Sequence, residues 1–192
     1  LGSGALNTEL KHFAGLLLLD ADGLNRLAAQ GNVQLWLQQR RGPTWLTPHA
    51  AEFERLFPEL ADLPSDQAAS QAAQQSQCWV LRKGARTVIA SPDGMVRQVL
   101  QSEARAARAG LGDVLSGYAA GLGAMGLASG LHPTEDRFDG LLALAALAHA
   151  TAGLQQSQVG EGAASPLAIA QQLQNAKNAD ICEHPENNLM HN

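Results

Sequence analysis

Leu16-Leu17-Leu18-Leu19 runs directly into Asp20-Ala21-Asp22-Gly23. Four apolar residues that stop at acids read as a short strand covered on both faces, as in a parallel sheet, with its carboxyl end at a polar, functional edge. The same pattern recurs along the chain. Thr44-Trp45-Leu46 is a second short strand and ends in Thr47-Pro48-His49; Cys78-Trp79-Val80-Leu81 is a third, followed by Lys83-Gly84. Thr87-Val88-Ile89-Ala90 and a return strand over 95–100 flank Ser91-Pro92-Asp93-Gly94, a strong hairpin turn. Helices are predicted over 25–30, 50–57, 113–125, 135–156 and 166–175. In the second of these Phe53, Leu56 and Phe57 share one face. The Gln- and Ala-rich stretch 65–77 is predicted to be a surface helix rather than a linker, because alanine is the best helix former. Pro58 to Pro64 is predicted to be a loop. Strands alternating with helices imply an α/β layered fold. Ligands of such folds lie beyond the carboxyl ends of the strands, and Asp20, His49, Lys83 and Asp113 all fall at strand ends or helix starts.

The bulk properties narrow the function classes. The chain has 192 residues, 45% of them hydrophobic, enough for one domain with a core. Its net charge of -5, with no basic block, argues against a nucleic-acid partner. No apolar run reaches membrane-spanning length; the greasiest, Leu141 to Ala148, is too short, so no membrane association is expected. The start carries no basic n-region of a signal peptide. Cys78 and Cys182 make no disulfide framework, which fits a reducing cytoplasm. Cys182, His184 and His191 lie close in sequence, but their spacing does not match a compact zinc site, and no protein metal site is expected. The first residue is Leu1 rather than Met, so a fragment or processed product is expected. Residues 1–176 read as the domain and 177–192 as a loose polar tail.

Chemistry concentrates at Ala109-Gly110-Leu111-Gly112-Asp113, which opens the small-residue helix Val114-Leu115-Ser116-Gly117-Tyr118. A helix start offers unpaired N–H groups and the positive end of the macrodipole, and glycines let that backbone approach an anion closely. A carboxylate there can take a proton from a hydroxyl. These are parts of a phosphoryl-transfer site, although on spacing alone Gly-x-Gly-Asp before a helix is more often a plain turn whose Asp stabilises a helix start.

Five segments, in order, resemble the ADP/ATP-dependent NAD(P)H-hydrate dehydratase family of the ribokinase-like superfamily. Leu1-Gly2-Ser3-Gly4-Ala5-Leu6 is similar to its Gly-Pro-Gly-Leu turn, and Leu19-Asp20-Ala21-Asp22-Gly23-Leu24-Asn25 to its Asp-Ala-Asp-x-Leu-Asn element. Leu46-Thr47-Pro48-His49-Ala50-Ala51-Glu52-Phe53 is similar to Leu-Thr-Pro-His-Pro-Gly-Glu-Phe, the most specific of the five. Lys83-Gly84-Ala85-Arg86-Thr87-Val88-Ile89 is similar to Lys-Gly-x-x-Thr-Val-Ile, and Gly110 to Gly117 to Gly-Ser-Gly-Asp-Val-Leu-Thr-Gly. The resemblance runs from the first residue to about Gln156.

The resemblance implies a three-layer α/β/α fold with a mostly parallel central sheet, here without the family's N-terminal strands. It implies an enzyme that uses ADP or ATP with Mg2+ to dehydrate NADHX and NADPHX, phosphorylating the ring hydroxyl and then eliminating phosphate. Asp113 would be the catalytic base and would touch substrate. Gly4 and His49 would contact the hydrated cofactor. Lys83, Gly84, Ala85, Arg86, Thr87 and Gly112 would bind the nucleotide, and the backbone of Gly110, Leu111 and Gly112 would hold the transferring phosphoryl group. Glu52 is expected to order a helix start or a Mg2+ water network, and His149 to serve packing. An NAD(P)H-hydrate epimerase, fused or associated, is the implied partner, and a homo-oligomer is expected. The chain departs from the family in Ser102 to Arg108, where a Gly-Asn-rich segment stands in the family, with Arg105 and Arg108 as candidate phosphate contacts. It also departs in Ala109-Gly110 for a double glycine and in Ala50-Ala51 for Pro-Gly. The last change is mild, since a helix can start there; the absent N-terminal strands and the altered segment before Gly110 leave open a divergent or inactive nucleotide-binding domain. A ribokinase-like small-molecule kinase would share Gly-x-Gly-Asp but lack the Thr-Pro-His element.

Overall fold

In the computed structural model the described residues are 6, 8–100, 110–133, 138–159 and 165–182, with the side chains of 157–159 and 176–182 excepted. Gly4, the segment 102–109 with Arg105 and Arg108, Glu135, His184, His191 and the Cys182 side chain lie outside this set.

Five strands form one sheet in chain order: β1 (Leu17–Leu19), β2 (Thr44–Leu46), β3 (Trp79–Arg82), β4 (Thr87–Ala90) and β5 (Val96–Val99). The first three are parallel, with Leu19 opposite Leu46 and Leu46 opposite Val80. The last two turn antiparallel, Leu81 facing Ile89 and Val88 facing Gln98. The expected mostly parallel sheet therefore holds for β1 to β3, and the hairpin residues convert the far side to a meander. Ser91 N–H donates to Met95 O at 3.0 Å and Gly94 N–H to Ser91 O at 3.0 Å, closing the turn read from Ser91-Pro92-Asp93-Gly94.

Period-two alternation sends the strand side chains to two cores. Leu19, Leu46, Val80, Val88 and Ala90 face one layer of helices, α2 (Ala21–Ala29), α3 (Val33–Gln38), α4 (Ala50–Leu56) and α5 (Ser65–Ser76). Trp45, Trp79, Leu81 and Ile89 face the opposite layer, α6 (Leu111–Ala128) and α7 (Phe138–Val159). The result is the three-layer α/β/α arrangement. In the second core Phe138 packs at 5.0 Å from Trp45 and edge-on at 5.5 Å from Trp79, spacings at which aromatic quadrupoles attract. A third, smaller core joins Leu111, Ala152, Ile169 and Leu173, and seats α8 (Pro166–Cys182) against the start of α6.

Several elements differ from the sequence reading. A short helix, α1 (Glu9–His12), and α3 are additional; neither is long enough for a clear helical period. The helix expected over 25–30 starts earlier, directly after Asp20. The expected surface helix α5 buries Ala68, Ala69, Ala72, Ala73 and Ser76 on the sheet, so its alanines form a close-packing stripe. The loop after α4 contains a single 3-10 turn, Pro58–Leu60. α6 starts two residues before Asp113, and α8 continues beyond 175 to Cys182. The strand expected to be covered on both faces buries Leu19 but leaves Leu17 and Leu18 half-buried, because among the described residues β1 pairs with β2 alone.

One arginine anchors β1. The guanidinium of Arg40 donates to Phe13 O at 2.7 Å, Gly15 O at 2.9 Å and Thr44 Oγ1 at 3.1 Å, and also to Leu10 O. It thereby ties the segment before β1 to the start of β2 and fixes where Asp20 emerges.

Candidate functional site

The carboxyl ends of β1, β2 and β3 lie side by side, and each is followed by a residue of interest. Pairing extends beyond the strands: Thr47 N–H donates to Leu19 O at 3.1 Å and Lys83 N–H to Pro48 O at 2.8 Å. Asp20, His49 and Lys83 are thereby held at one edge of the sheet.

Asp20 stands at the N-cap of α2 in extended conformation, yet its side chain makes no capping bond to its own helix. It turns toward β3 and α6 instead. Lys83 Nζ donates to Asp20 Oδ1 at 2.7 Å, and Ser116 Oγ donates to Asp20 Oδ2 at 2.6 Å. Burial by itself would raise the Asp20 carboxyl, but the Lys83 and Ser116 hydrogen bonds, the Lys83 charge and a hydrogen bond from the Ala21 backbone outweigh it and hold the group below its ordinary 3.8. The pair is mostly buried, at 12% exposure for Asp20 and 21% for Lys83. Ala21, next in the chain, has φ +41°, a left-handed conformation that costs a non-glycine residue about 1–2 kcal/mol.

α6 enters this corner by its N-terminus. Gly110 is the N-cap, with φ +88° and no side chain to cap the helix. A Cβ there would also press on Pro166 Cγ at 3.1 Å, so glycine answers both backbone and space. The N–H groups of Leu111, Gly112 and Asp113 precede the first intrahelical bond, Val114 N–H to Gly110 O at 3.2 Å. At Gly112 a Cβ would stand 3.5 Å from Lys83 Nζ and 3.7 Å from Asp20 Oδ2. A helix N-terminus, a lysine and a glycine backbone thus meet in one place, the composition of an anion cradle.

Of the residues singled out in sequence, the structure joins Lys83 and Gly112 directly and places Gly84, Ala85 and Arg86 on the exposed turn that follows Lys83. Thr87 starts β4, half-buried. Leu111 sends its side chain into the third core and leaves its backbone at the helix start. Asp113 is exposed on the next face of α6, where it lines a groove of about 320 Å3 with Val114, Gly117 and Tyr118 of α6 and Ala170, Leu173 and Gln174 of α8. His49 makes a capping box at α4: Glu52 N–H donates to His49 Nδ1 at 3.3 Å, and His49 N–H donates to Glu52 Oε2 at 2.8 Å. Glu52 is buried and serves the helix start, one of its two expected roles; the His49 ring stays half exposed at the sheet edge. His149 is mostly buried on α7, and its Nε2 is buried with no hydrogen-bond partner.

Sequence alone sets Asp20 at the functional edge and assigns Ser116 no role. Two sequence signals bear on Ser116: it stands where the family's Gly-Ser-Gly-Asp-Val-Leu-Thr-Gly has its Thr, so a hydroxyl is kept, and it lies four residues after Gly112, which puts both on one helix face.

The profile of the NAD(P)H-hydrate dehydratase family matches residues 2–175. The bifunctional NAD(P)H-hydrate repair enzyme Nnr of Gloeobacter violaceus is 52% identical over 104 residues, which are 54% of this chain and 20% of that protein. Its namesake from Synechocystis is 44% identical over 144 residues, 74% of this chain and 26% of that protein. Among solved structures, the ADP/ATP-dependent NAD(P)H-hydrate dehydratase of Bacillus subtilis, co-crystallised with ATP/Mg2+ and soaked with CoA, superposes with a TM-score of 0.59 at 27% identity. The match covers 73% of this chain and 50% of that one. A ribokinase-like superfamily protein of Enterococcus faecalis gives a TM-score of 0.64 at 20% identity over 90% of this chain and 66% of that one, a likeness of fold. The matched region spans about a quarter or less of these curated relatives and half of the solved dehydratase.

Proposed function

Because the chain belongs to the NAD(P)H-hydrate dehydratase family, we propose that it carries the nucleotide-dependent half of NADHX and NADPHX repair. The observation that supports this most is the meeting of Lys83, Gly112 and the N-terminus of α6 at the carboxyl edge of the parallel strands.

In this reading the N–H groups of Gly110, Leu111 and Gly112 hold the transferring phosphoryl group, and Lys83 with the turn Gly84-Ala85-Arg86-Thr87 holds the rest of ADP or ATP. Asp113 takes the proton from the ring hydroxyl as that oxygen bonds to phosphorus and the bond to the nucleotide's leaving oxygen breaks. Phosphate then departs with the electron pair of the carbon–oxygen bond, and loss of a ring proton restores the dihydronicotinamide double bond. His49 and Gly4 orient the hydrated ring. Positioning and fixed electrostatics supply most of the rate, since the transferring group needs little covalent help.

The donor set fits a nucleotide that arrives with its own Mg2+. Among the described residues no group of three or more His, Cys, Asp or Glu could hold a metal alone. Mg2+ commonly takes one or two carboxylates together with phosphate oxygens and water, and Asp113 stands in the first turn of α6. The ion supplies neutralisation of charge on the phosphoryl oxygens. An NAD(P)H-hydrate epimerase, fused or associated, is the partner we infer, because relatives named bifunctional repair enzymes extend far beyond the matched region. A homo-oligomer and a reducing cytoplasm complete the reading; Cys78 is a buried free thiol, and no helix among the described residues is long and apolar enough to cross a membrane.

The test incubates NADHX with the protein, Mg2+ and either ADP or ATP, and follows the return of dihydronicotinamide fluorescence. Nucleotide-dependent recovery is expected. Nucleotide binding without recovery would reassign the chain as a binding module.

A further inference from the structure

We propose that Asp20 is a positioning residue for the nucleotide subsite, acting through Lys83 and braced by Ser116. The inference rests on the functional reading above and adds to it the element that holds the lysine in place.

Three observations carry it. First, Asp20 sits where a helix would normally claim its side chain as an N-cap, and the side chain makes no such bond. An N-cap aspartate usually accepts from the second or third N–H of its helix; Asp20 instead keeps only the Ala21 backbone bond on its own helix beside its two long-range partners. Second, each carboxylate oxygen has a different long-range partner, Lys83 from β3 and Ser116 from α6, at 2.7 and 2.6 Å. One side chain therefore links the ends of two strands and the first turns of the phosphate-side helix. Third, Ala21 adopts a left-handed backbone with φ +41° directly after Asp20. Such strain persists only where surrounding contacts over-determine it, and it gathers at functional sites.

The consequence is specific. A lysine side chain has four rotatable bonds and loses much entropy when ordered. Pairing with Asp20 orders it before a ligand arrives, beside Gly112, and leaves the ammonium further N–H donors for an anion. Ser116 fixes the second oxygen, so the carboxylate cannot rotate and let the lysine swing away. Asp20 does not itself face the anion as a donor; its effect on nucleotide binding passes through Lys83.

A double-mutant cycle tests this with ADP as the calorimetric probe, in the presence of Mg2+. Asp20→Asn is expected to weaken ADP about five- to tenfold when Lys83 is present, and less than about twofold in the Lys83→Ala background. Ser116→Ala is expected to weaken ADP less, and Ser116→Thr, which keeps the hydroxyl, to restore it. An Asp20→Asn effect that is equal in both backgrounds, or absent, overturns the proposal. A second measurement needs no ligand: acylation of the Lys83 amine in the free protein, located by peptide mass. It should run several-fold faster in Asp20→Asn and in Ser116→Ala than in the wild type; equal rates overturn the proposal even if Asp20→Asn does not fold, since the Ser116 pair still reads it. If the wild type binds no ADP, the functional reading fails, while the acylation arm still decides whether Asp20 and Ser116 hold the lysine.

Discussion

Asp113 and Lys83 divide the proposed chemistry between two neighbouring faces of the α6 N-terminus. Asp113 is exposed at the third position of the helix, and carries no bond that the fold depends on among those described. Asp113→Asn keeps its shape and removes its basicity. Repair should fall about 10²–10⁴-fold with ADP affinity nearly unchanged, measured by turnover beside calorimetry. Near-wild-type turnover would remove Asp113 from the mechanism. Lys83 is a different kind of residue, held at the cradle and matched to anions. Lys83→Ala should weaken ADP or ATP more than it slows the chemical step, so KM should rise more than kcat falls. An unchanged dissociation constant would make the turn after β3 purely structural. At this scale Asp113 and Lys83 are legible in sequence because each ends a recognisable pattern, whereas Ser116 carries a hydroxyl at a motif position but no sign of its partner, Asp20, which lies 96 positions away.

At the scale of elements, α6 shows how one residue type takes opposite roles on two faces of a helix. A Cβ at Gly123 would stand 2.4 Å from Leu16 Cδ2 and 2.7 Å from Trp45 Cη2, so the helix lies on β1 and β2 at glycine distance. At Gly121 a Cβ would meet nothing within 4 Å. Gly123→Ala should therefore destabilise by about 1–3 kcal/mol through overpacking, despite the better helix propensity of alanine. Gly121→Ala should stabilise by about 0.4–1 kcal/mol by restricting the unfolded chain. Urea midpoints of the two variants give the comparison; shifts of the same sign would mean that α6 does not sit on the sheet as described. Sequence composition shows that α6 is rich in small residues but not which of its glycines touches the sheet, because that depends on helix rotation about its axis.

At the scale of the molecule, burial of titratable groups links stability to pH. Burial pushes the His149 imidazole below its ordinary 6.5, with a hydrogen bond to the Leu111 backbone acting the other way. The unfolded chain then binds the proton more readily than the fold. The contribution is present above pH 6.5 and is lost as pH falls below it toward the lower folded value. Asp20 adds loss of stability below its ordinary 3.8, since its folded carboxyl is held lower. Burial pushes the Cys78 thiol up to about 12 from an ordinary 9.0, so that stability declines as pH rises between these values. Urea midpoints measured from neutral pH downward should fall below pH 6.5, and His149→Gln should flatten that limb; a limb that persists unchanged would exclude His149 as its source.

The alternation of apolar runs and acids determined by itself that this chain forms an α/β layered fold, because a strand buried in a parallel sheet has few compositions open to it and its carboxyl end must turn at polar residues. The hairpin at Ser91 to Gly94 was legible for a local reason, since turns have preferred residues, whereas the helix expected from Asp113 begins at Leu111 with Gly110 as its N-cap. Only the tertiary structure decided that Asp20, Lys83 and Ser116, separated by 63 and 96 positions from Asp20, share one carboxylate. It alone decided that α5 lays its alanines on the sheet. Those outcomes depend on which strand ends lie adjacent and how each helix is rotated, quantities set by the packing of the whole core rather than by any window of sequence.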